Sequence, residues 1–416
     1  MRLSAIAADI TRQARRLVLA VEDSLDAELL ASWLVSTWDA PPGALVDADS
    51  GEKVGLHVVK ALERARDERS LAVLRALGAV GGETVAAAAR DAADYLAAAG
   101  IAEPRWASAL GSARPLRAMR MRDVVFDDVT NVIIEFSRAD SDRYCIGVLV
   151  DNNLHGLAKD LILGPSLPEI REAARQSSDD ALRFEHMELE EAARRCREAL
   201  RRTAHTVDAP VSEHYDWEVA VAGAHLGTLP DDGSPYEARE IAPAERKAAL
   251  EGFLASPEGE PFRGSDDAAD LVLLAIDFCA DLDGDDRPLR WSPVVVELFM
   301  TWFLPREVVR EPAFFERTVP EVLAAWVRYA GRVRDLGGGD QEAAETVGAL
   351  RDQMLERVND ESTWGPAKAF ATAAQAAGVD LRDEAALNAF VDAYNSRLEA
   401  SAVEPSDLDR NSAFFD

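Results

Sequence analysis

Apolar residues recur at every third or fourth position along most of the chain, which is the period of an amphipathic α-helix. Residues 2–18 show this first, with Leu3, Ile10 and Leu17 on one stripe and arginines between them. Pairs of prolines and of glycines interrupt the pattern and separate the stretches. Further helices are predicted at 24–35, 52–66, 68–79 and 83–99. Residues 1–115 are therefore predicted to form an N-terminal helical region.

Two segments in the middle of the chain depart from the helical period. Residues 129–138 and 143–151 are rich in β-branched and aromatic residues, and a short polar connection joins them. This pattern predicts a β-hairpin. A hairpin alone is only marginally stable, so further strands are expected at 119–125 and 160–164. The sequence thus predicts one small antiparallel sheet near 119–164.

Helical periodicity returns after the predicted sheet. A long helix is predicted over 178–203, and it closes a second region that spans 116–204. Residues 205–243 then contain Gly233 and Pro235 within a run of polar residues. Glycine and proline favour turns over regular structure, so this segment is predicted to be an irregular, mobile linker and the domain boundary.

The remainder of the chain is predicted to be an acidic C-terminal helical domain, residues 244–400, with an acidic tail at 401–416. Helices are expected near 244–255, 266–281, 293–304, 319–335, 341–358, 366–377 and 383–398. The predicted fold is therefore mainly α: a helical bundle or irregular helical array with one small antiparallel β-sheet near 119–164.

Charge changes the picture of possible partners. The chain has 75 acidic and 45 basic residues and a formal net charge of -30. Residues 203–300 alone hold 21 acidic residues against 6 basic ones. Such a surface repels phosphate backbones, so direct nucleic-acid binding is not expected. The acidic region has three interpretations: a solvated surface that maintains solubility, a docking face for a basic protein partner, or a mimic of nucleic acid.

The location of the protein is predicted from what the sequence lacks. No apolar run approaches the roughly 18 residues of a membrane span, and the N-terminus does not resemble a secretion signal. Cys145, Cys196 and Cys279 lie too far apart for a CxxC site and fall on apolar stretches. We therefore expect a cytoplasmic protein with no membrane association and with inert core thiols.

Polar side chains are concentrated in residues 151–160, directly after the second predicted strand. Asp151, His155, Lys159 and Asp160 are the candidate catalytic residues there, because loops that leave a sheet often carry sites. If the segment became helical, His155 and Lys159 would share a face, with Asp151 as an orienting carboxylate. In the alternative interpretation the segment is a solvated turn in which Asp151 caps the next element.

Other searches for catalytic chemistry are negative. The chain has no GxSxG elbow and no Walker loop, and no GxGxxG follows a predicted strand. It has six histidines but no HExxH motif. No cofactor and no metal site are therefore predicted.

Several stretches have distinctive sequences, among them WSPVVVELFMTWFLPREVV at 291–309 and PEVLAAWVRYAGR at 320–332. The set also includes GPAKAFATAAQAAGVDLRDEAALNAFVDAYN at 365–395 and DVTNVIIEF…VLVDNNLHGLAKD at 128–160. Together they resemble an uncharacterised helical protein family of high-GC Gram-positive bacteria. That family has no assigned activity, so the resemblance implies a recurring architecture and no catalytic residues.

These observations lead to three functional hypotheses. The first is a non-enzymatic interaction or regulatory protein that binds a protein partner through an acidic docking surface. A partner with a basic surface would complement it. The second is a small-molecule binder or enzyme that uses the polar cluster at 151–160. The third is an acidic nucleic-acid mimic, which requires carboxylates spaced along one face like phosphates.

Overall fold

The protein is mainly helical and carries one small antiparallel β-sheet, as the sequence predicts. A computed structural model of the chain describes residues 3–38, 48–139, 143–177, 181–230, 233–236, 239–285, 287–337, 339–379, 390–391 and 393–394. The chain divides into two compact units, an N-terminal unit (Met1–Ala238) and a C-terminal unit (Arg239–Asp416). Among the described residues, no helix combines the length and apolar character that crossing a membrane requires.

The N-terminal unit begins with five helices that share one apolar core. They are α1 (Leu3–Leu17), α2 (Ser24–Ser36), α3 (Ala48–Ala65), α4 (Glu68–Val80) and α5 (Glu83–Ala98). The Asp23 carboxylate accepts the backbone N–H of Asp26, and that of Asp67 accepts the N–H of Ser70. These N-caps satisfy otherwise unpaired donors and fix where α2 and α4 begin. The shared core includes Leu34, Leu62, Leu71, Leu74 and Leu77, all fully buried.

The β-sheet of the N-terminal unit has the strand order β4-β3-β2-β1-β5 and is antiparallel throughout. Its strands are β1 (Arg114–Asp123), β2 (Val129–Ser137), β3 (Tyr144–Asp151), β4 (Leu157–Leu163) and β5 (Leu182–Met187). Side chains alternate between the two faces. Ile134 and Phe136 lie in the core shared with two later helices, whereas Ile133 and Cys145 lie in a smaller cluster with Leu167.

Three helices cover this sheet: α6 (Leu167–Gln176), α7 (Leu189–Ala204) and α8 (Tyr215–Leu226). The structure differs here from the single helix that was expected over 178–203. Residues 182–187 form β5 instead, because the edge of β1 is open to pair with it and Arg120 and Arg122 bind Glu185 across the two strands. The helix proper starts at Leu189.

The segment 205–243 also differs from the expected irregular linker, because it contains α8. Tyr215, Val221 and Leu226 of this helix are at most 1% exposed. The helix packs against α2 and β4 of the N-terminal unit. Burial of these apolar side chains stabilises the helix, although the flanking sequence contains glycine and proline, which disfavour helices. The boundary between the two compact units lies at the end of the segment, between residues 238 and 239.

The C-terminal unit is helical in its described part. Its elements are α9 (Pro243–Ala255), α10 (Asp266–Asp281), α11 (Pro293–Glu297), α12 (Leu304–Glu307), α13 (Val319–Val333), α14 (Gly339–Ala349), α15 (Arg351–Asn359) and α16 (Pro366–Ala376), with π-helical turns at Leu298–Phe303 and Phe314–Thr318. Trp291, Phe299 and Trp326 form the centre of the core, whereas Trp302 is 43% exposed. The helix expected at 383–398 lies almost entirely, and the tail at 401–416 wholly, outside the described residues.

Candidate functional site

The polar cluster at 151–160 forms the tight connection between β3 and β4. Asp151 Oδ1 accepts the backbone N–H groups of Asn153 at 2.9 Å and Leu154 at 3.2 Å. This is an Asx-type turn, in which a side chain replaces a backbone acceptor. The second oxygen of Asp151 lies 3.4 Å from Lys159 Nζ. Asp151 and Lys159 are thus brought together, and the aspartate stabilises the turn.

The other two candidates of this cluster have different partners. His155 adopts a left-handed backbone conformation with φ 54°, and its side chain is exposed. Its carbonyl oxygen accepts a hydrogen bond from Arg202. Asp160 Oδ1 accepts the hydroxyl of Ser212. These contacts fit the turn interpretation of the cluster, in which the polar groups hold the loop against α7 and the segment before α8.

A cavity of about 740 Å³ lies elsewhere in the N-terminal unit, and we call it the α2–α8 cavity. Its polar and charged lining residues are Glu28, Arg75, Arg90, Glu103, Ser108, His225 and Thr228. Its other lining residues are Gly78, Ala79, Pro104, Ala107, Leu110, Gly111, Ala113 and Ala224. Small apolar residues therefore make up much of the wall, as in many ligand pockets.

Glu28 belongs to a buried network that is centred on Arg138. The Arg138 guanidinium donates to Glu28 Oε2 and to Ser24 Oγ, each at 2.6 Å. It also donates to the Tyr144 hydroxyl at 2.9 Å and lies 2.8 Å from His225 Nε2. All five residues are less than 10% exposed. The network joins α2, the β2–β3 end of the sheet and α8 at one point.

The pKa of Arg138 depends on its burial and on its neighbours. Burial alone lowers the pKa of a guanidinium, because it removes water from the charged form. The Glu28 carboxylate and the Tyr144 hydroxyl together outweigh this effect, and the pKa of Arg138 is raised above its ordinary value. The Glu28–Arg138 ion pair is therefore maintained in the interior of the unit.

His225 is held as a neutral imidazole. Its Nδ1 lies 3.0 Å from the carbonyl oxygen of Val221, which can only accept a hydrogen bond, so Nδ1 carries the proton. The Nε2 lone pair then faces the Tyr144 hydroxyl at 2.9 Å and the Arg138 guanidinium. Burial, with a further contribution from Arg138, lowers the pKa of His225 to about 4. Both ring nitrogens are thus engaged with the protein.

Arginines at the rim of the cavity also have defined partners. Arg75 donates to Glu103 through Nε and Nη2 and to Asp94 through Nη1 at 2.7 Å. The hydrogen bonds to Glu103 raise the pKa of Arg75 above its ordinary range. Arg90 donates to the carbonyl oxygen of Gly78 at 2.7 Å. Arg75 thus forms ion pairs with two carboxylates, whereas Arg90 bonds the backbone of α4.

Sequence reasoning did not single out Glu28, Arg138 or His225. Glu28 lies on a helix where an acidic residue usually faces water, and His225 lies in the segment expected to be a linker. The available signal was Arg138, which directly follows the apolar strand β2. A charge at the end of a buried strand requires a partner, but that partner is 110 residues away in the sequence.

The acidic region 203–300 extends over both units, and several of its carboxylates are paired with arginines. These pairs are Glu245 with Arg239 (2.9 Å), Glu258 with Arg332 (2.7 Å), Asp270 with Arg310 (2.5 Å) and Asp277 with Arg246 (2.7 Å). The Arg332 hydrogen bond lowers the pKa of Glu258 to about 2. A nucleic-acid mimic needs carboxylates that are free to meet a basic groove. These four pairs involve only part of the 21 acidic residues of the region, so the third hypothesis stays a prediction.

Comparisons of the chain with known proteins give no match. No protein family model matches the chain, and no curated protein and no solved structure matches it. The resemblance to an uncharacterised family of high-GC Gram-positive bacteria stays a prediction. The α2–α8 cavity and its buried network are therefore the features from which a function is inferred.

Proposed function

We propose that the protein is a non-enzymatic binding protein whose N-terminal unit holds a small organic molecule in the α2–α8 cavity. The observation that carries this proposal is the position of Glu28 and His225, which line the cavity and are at most 4% exposed. A cavity with a mainly apolar wall and a few fixed polar groups is the usual form of a ligand site.

The cavity also defines the chemistry of its ligand. A volume of about 740 Å³ suits a molecule of metabolite size. The wall of alanine, glycine, leucine and proline favours an apolar body. Glu28 and His225 add polar groups to this wall that are held in place by Arg138. The expected ligand is mainly apolar.

Binding is favoured over catalysis because the polar groups of the wall are committed to each other. A general base needs a nitrogen or oxygen within reach of a substrate proton. His225 already uses Nδ1 for Val221 and Nε2 for the Tyr144–Arg138 pair. Glu28 is held by Arg138 at 2.6 Å. Such a network positions a ligand without transferring its protons.

The test is to fill the cavity and measure what the full-length protein retains. Ala79→Leu combined with Ala224→Leu adds two branched side chains to the lining. Ala87→Leu is the matched control, because Ala87 is exposed on the neighbouring helix α5 and does not line the cavity. Each protein is incubated with a small-molecule extract of bacterial cells and analysed by native mass spectrometry.

We expect the wild-type protein and the Ala87→Leu control to carry the same bound mass, and the filled variant to lack it. Circular dichroism shows whether the filled variant keeps its helical content. Retention of the same bound mass by the filled variant would place the ligand elsewhere and would overturn the proposal.

A groove in the C-terminal unit supports a second candidate function, the docking of a basic amphipathic segment of a partner protein. The groove has a volume of about 370 Å³, and Leu273 and Val309 in its lining are 37% and 41% exposed. Asp270, Asp277, Glu307 and Arg310 also line it, and Asp270 is paired with Arg310 and Asp277 with Arg246. Apolar residues beside the Glu307 carboxylate complement a helix with apolar and basic faces.

Affinity capture at low and high salt tests this second candidate. A basic partner that is retained at low salt and released at high salt would support it, because salt screens surface charge attraction beyond about 10 Å at 0.1 M. Leu273→Asp should abolish capture, since it places a charge in the apolar strip. Capture that is insensitive to both salt and Leu273→Asp would contradict it.

A further inference from the structure

A second cavity of the N-terminal unit lies on the other face of the sheet from α8. It has a volume of about 500 Å³ and is lined by Arg117, Leu167, Pro168, Arg171, Arg175 and Phe184. Leu167 and Phe184 belong to the small apolar cluster around Ile133, whereas α8 contributes to the cluster around Ile134. Adjacent residues of a strand point to opposite faces, so the two cavities are separated by the sheet. We call this second site the arginine cavity.

The lining of the arginine cavity carries positive charge in a protein of net charge -30. Arg117 uses its Nε for the buried Glu135, at 2.9 Å, and Arg175 pairs with Glu172 at 2.7 Å. Neither carboxylate lines the cavity. These two arginines are therefore partly neutralised from outside, while their remaining N–H donors stay available to a ligand.

Of the three arginines that line this cavity, Arg171 is the one with no carboxylate partner among the described residues. Its guanidinium lies over the Phe184 ring, with 5.4 Å from Cζ to the ring centroid. Its Nη2 donates to the sulfur of Met119 at 3.3 Å, which is a weak acceptor. The ring and the sulfur hold the guanidinium in place without neutralising it. Arg171 is thus an exposed cation that the ring and the sulfur position, and no acidic residue lines the cavity in the described part of the chain.

We propose that the arginine cavity binds the phosphate group of a small phosphorylated molecule. A phosphate monoester carries about 1.5 to 2 negative charges near pH 7. This charge complements several guanidinium groups better than the single negative charge of a carboxylate ligand does. The planar fork of arginine binds phosphate oxygens in pairs. The cavity is larger than a phosphate group requires, and Leu167 and Pro168 offer an apolar surface to the organic part.

Isothermal titration calorimetry of the full chain at low salt tests the proposal with three probes: inorganic phosphate, phenyl phosphate and benzoate. We expect one equivalent of phenyl phosphate to bind, and benzoate to bind at least about tenfold more weakly, because it offers one charge and two oxygens. Tighter binding of phenyl phosphate than of inorganic phosphate would identify a phosphate ester as the ligand. Equal binding of the two would identify free phosphate.

Variants locate the site. Arg171→Gln should weaken phenyl phosphate about 10- to 100-fold, which corresponds to the loss of hydrogen bonds to a charged group. Arg171→Lys should give an intermediate loss, because the charge remains but the fork is removed. Arg69→Gln is the matched control, since Arg69 is an exposed arginine of α4 outside the cavity lining. The variant that fills the α2–α8 cavity should bind phenyl phosphate normally, so the two sites are tested separately.

Three results would overturn the proposal: no heat from either phosphate probe, equal affinity for benzoate and phenyl phosphate, or unchanged affinity in both Arg171→Gln and Arg175→Gln. Both arginines are exposed, so neither substitution removes core packing. Circular dichroism confirms that each variant is folded.

Discussion

The guanidinium of Arg138 lies 2.6 Å from the carboxylate of Glu28, although 110 residues separate the two in the sequence. The contact connects the end of β2 to α2, and His225 brings α8 to the same point. Breaking a buried ion pair leaves an uncompensated charge in a medium of low polarity, which costs more than the pair itself contributes. The network therefore determines how the N-terminal helices, the sheet and α8 meet around the α2–α8 cavity.

Glu28→Ala should lower the free energy of unfolding of the N-terminal unit by about 3–5 kcal/mol, because Arg138 loses its counter-charge. Chemical denaturation followed by circular dichroism measures the change. Asp9→Ala is the control, because its pair with Arg12 is exposed and should contribute at most about 1 kcal/mol. Adding Arg138→Met to Glu28→Ala should restore part of the loss. Equal effects of Glu28→Ala and Asp9→Ala would show that the network does not stabilise the unit.

Acid should destabilise the N-terminal unit through His225. Burial lowers the pKa of His225 from 6.5 to about 4, so the unfolded chain binds more protons than the folded one between these two values. The free energy of unfolding should therefore fall as the pH drops from 6.5 to 4, by roughly 3 kcal/mol in total. Denaturation at a series of pH values measures this.

His225→Gln should remove this part of the pH dependence. The matched control is His186→Gln, which should leave it unchanged because the His186 side chain is 69% exposed. A pH dependence that is the same in wild type and His225→Gln would contradict the assignment of a neutral, buried imidazole.

The sequence predicted four of the five strands and most of the described helices correctly, because these elements depend on local period. The five N-terminal helices and β2 and β3 follow from their apolar spacing alone. The three cysteines are buried, as their apolar surroundings predict. Strand β5 was missed because it is stabilised by pairing with β1, a residue-to-residue match that no local pattern reveals. Helix α8 was also missed, because its stability comes from burial of Tyr215 and Val221 in the tertiary fold.

The candidate site was not predictable from motifs. The polar cluster at 151–160 is dense in the sequence, and it forms a turn. The cavity network is dispersed, and its members Glu28, Arg138 and His225 meet only through the tertiary fold. Spacing along one element identifies sites that are local, whereas this site is assembled from α2, the sheet and α8.

Lys368 should destabilise the C-terminal unit at neutral pH. Its side-chain nitrogen is buried, has no hydrogen-bond partner among the described residues, and lies 5.2 Å from the centroid of the Trp364 ring. Burial lowers the pKa of Lys368 from 10.5 to about 8. Lys368→Met should therefore raise the free energy of unfolding at pH 7 by about 1–3 kcal/mol. Lys247→Met, at an exposed position, should change it little.

The pH dependence gives the second arm of this test. Between pH 8 and 10.5 the unfolded chain holds the proton of Lys368 and the folded chain does not, so wild-type stability should rise with pH in this interval. Lys368→Met should lose that rise. A destabilised Lys368→Met protein with an unchanged pH dependence would contradict this account.

Helices α13 and α14 approach each other closely at Gly331. A methyl group there would lie 2.9 Å from Asp340 Cα, which is nearer than real side chains come to backbone. Gly331→Ala should therefore cost about 1–3 kcal/mol of stability. Gly348→Ala is the matched control, because Gly348 is helical with open space around it, and the change should stabilise by up to about 1 kcal/mol. Thermal denaturation of the two variants should show opposite shifts.

The central claim is that the α2–α8 cavity binds a mainly apolar molecule, and a fluorescence titration with the neutral dye N-phenyl-1-naphthylamine tests it most directly. The account predicts saturation at one dye per chain for the wild type and for Ala87→Leu, and loss of binding in the Ala79→Leu, Ala224→Leu double variant. Dye binding that is equal in the wild type and the double variant, or absent from the wild type, would contradict the claim.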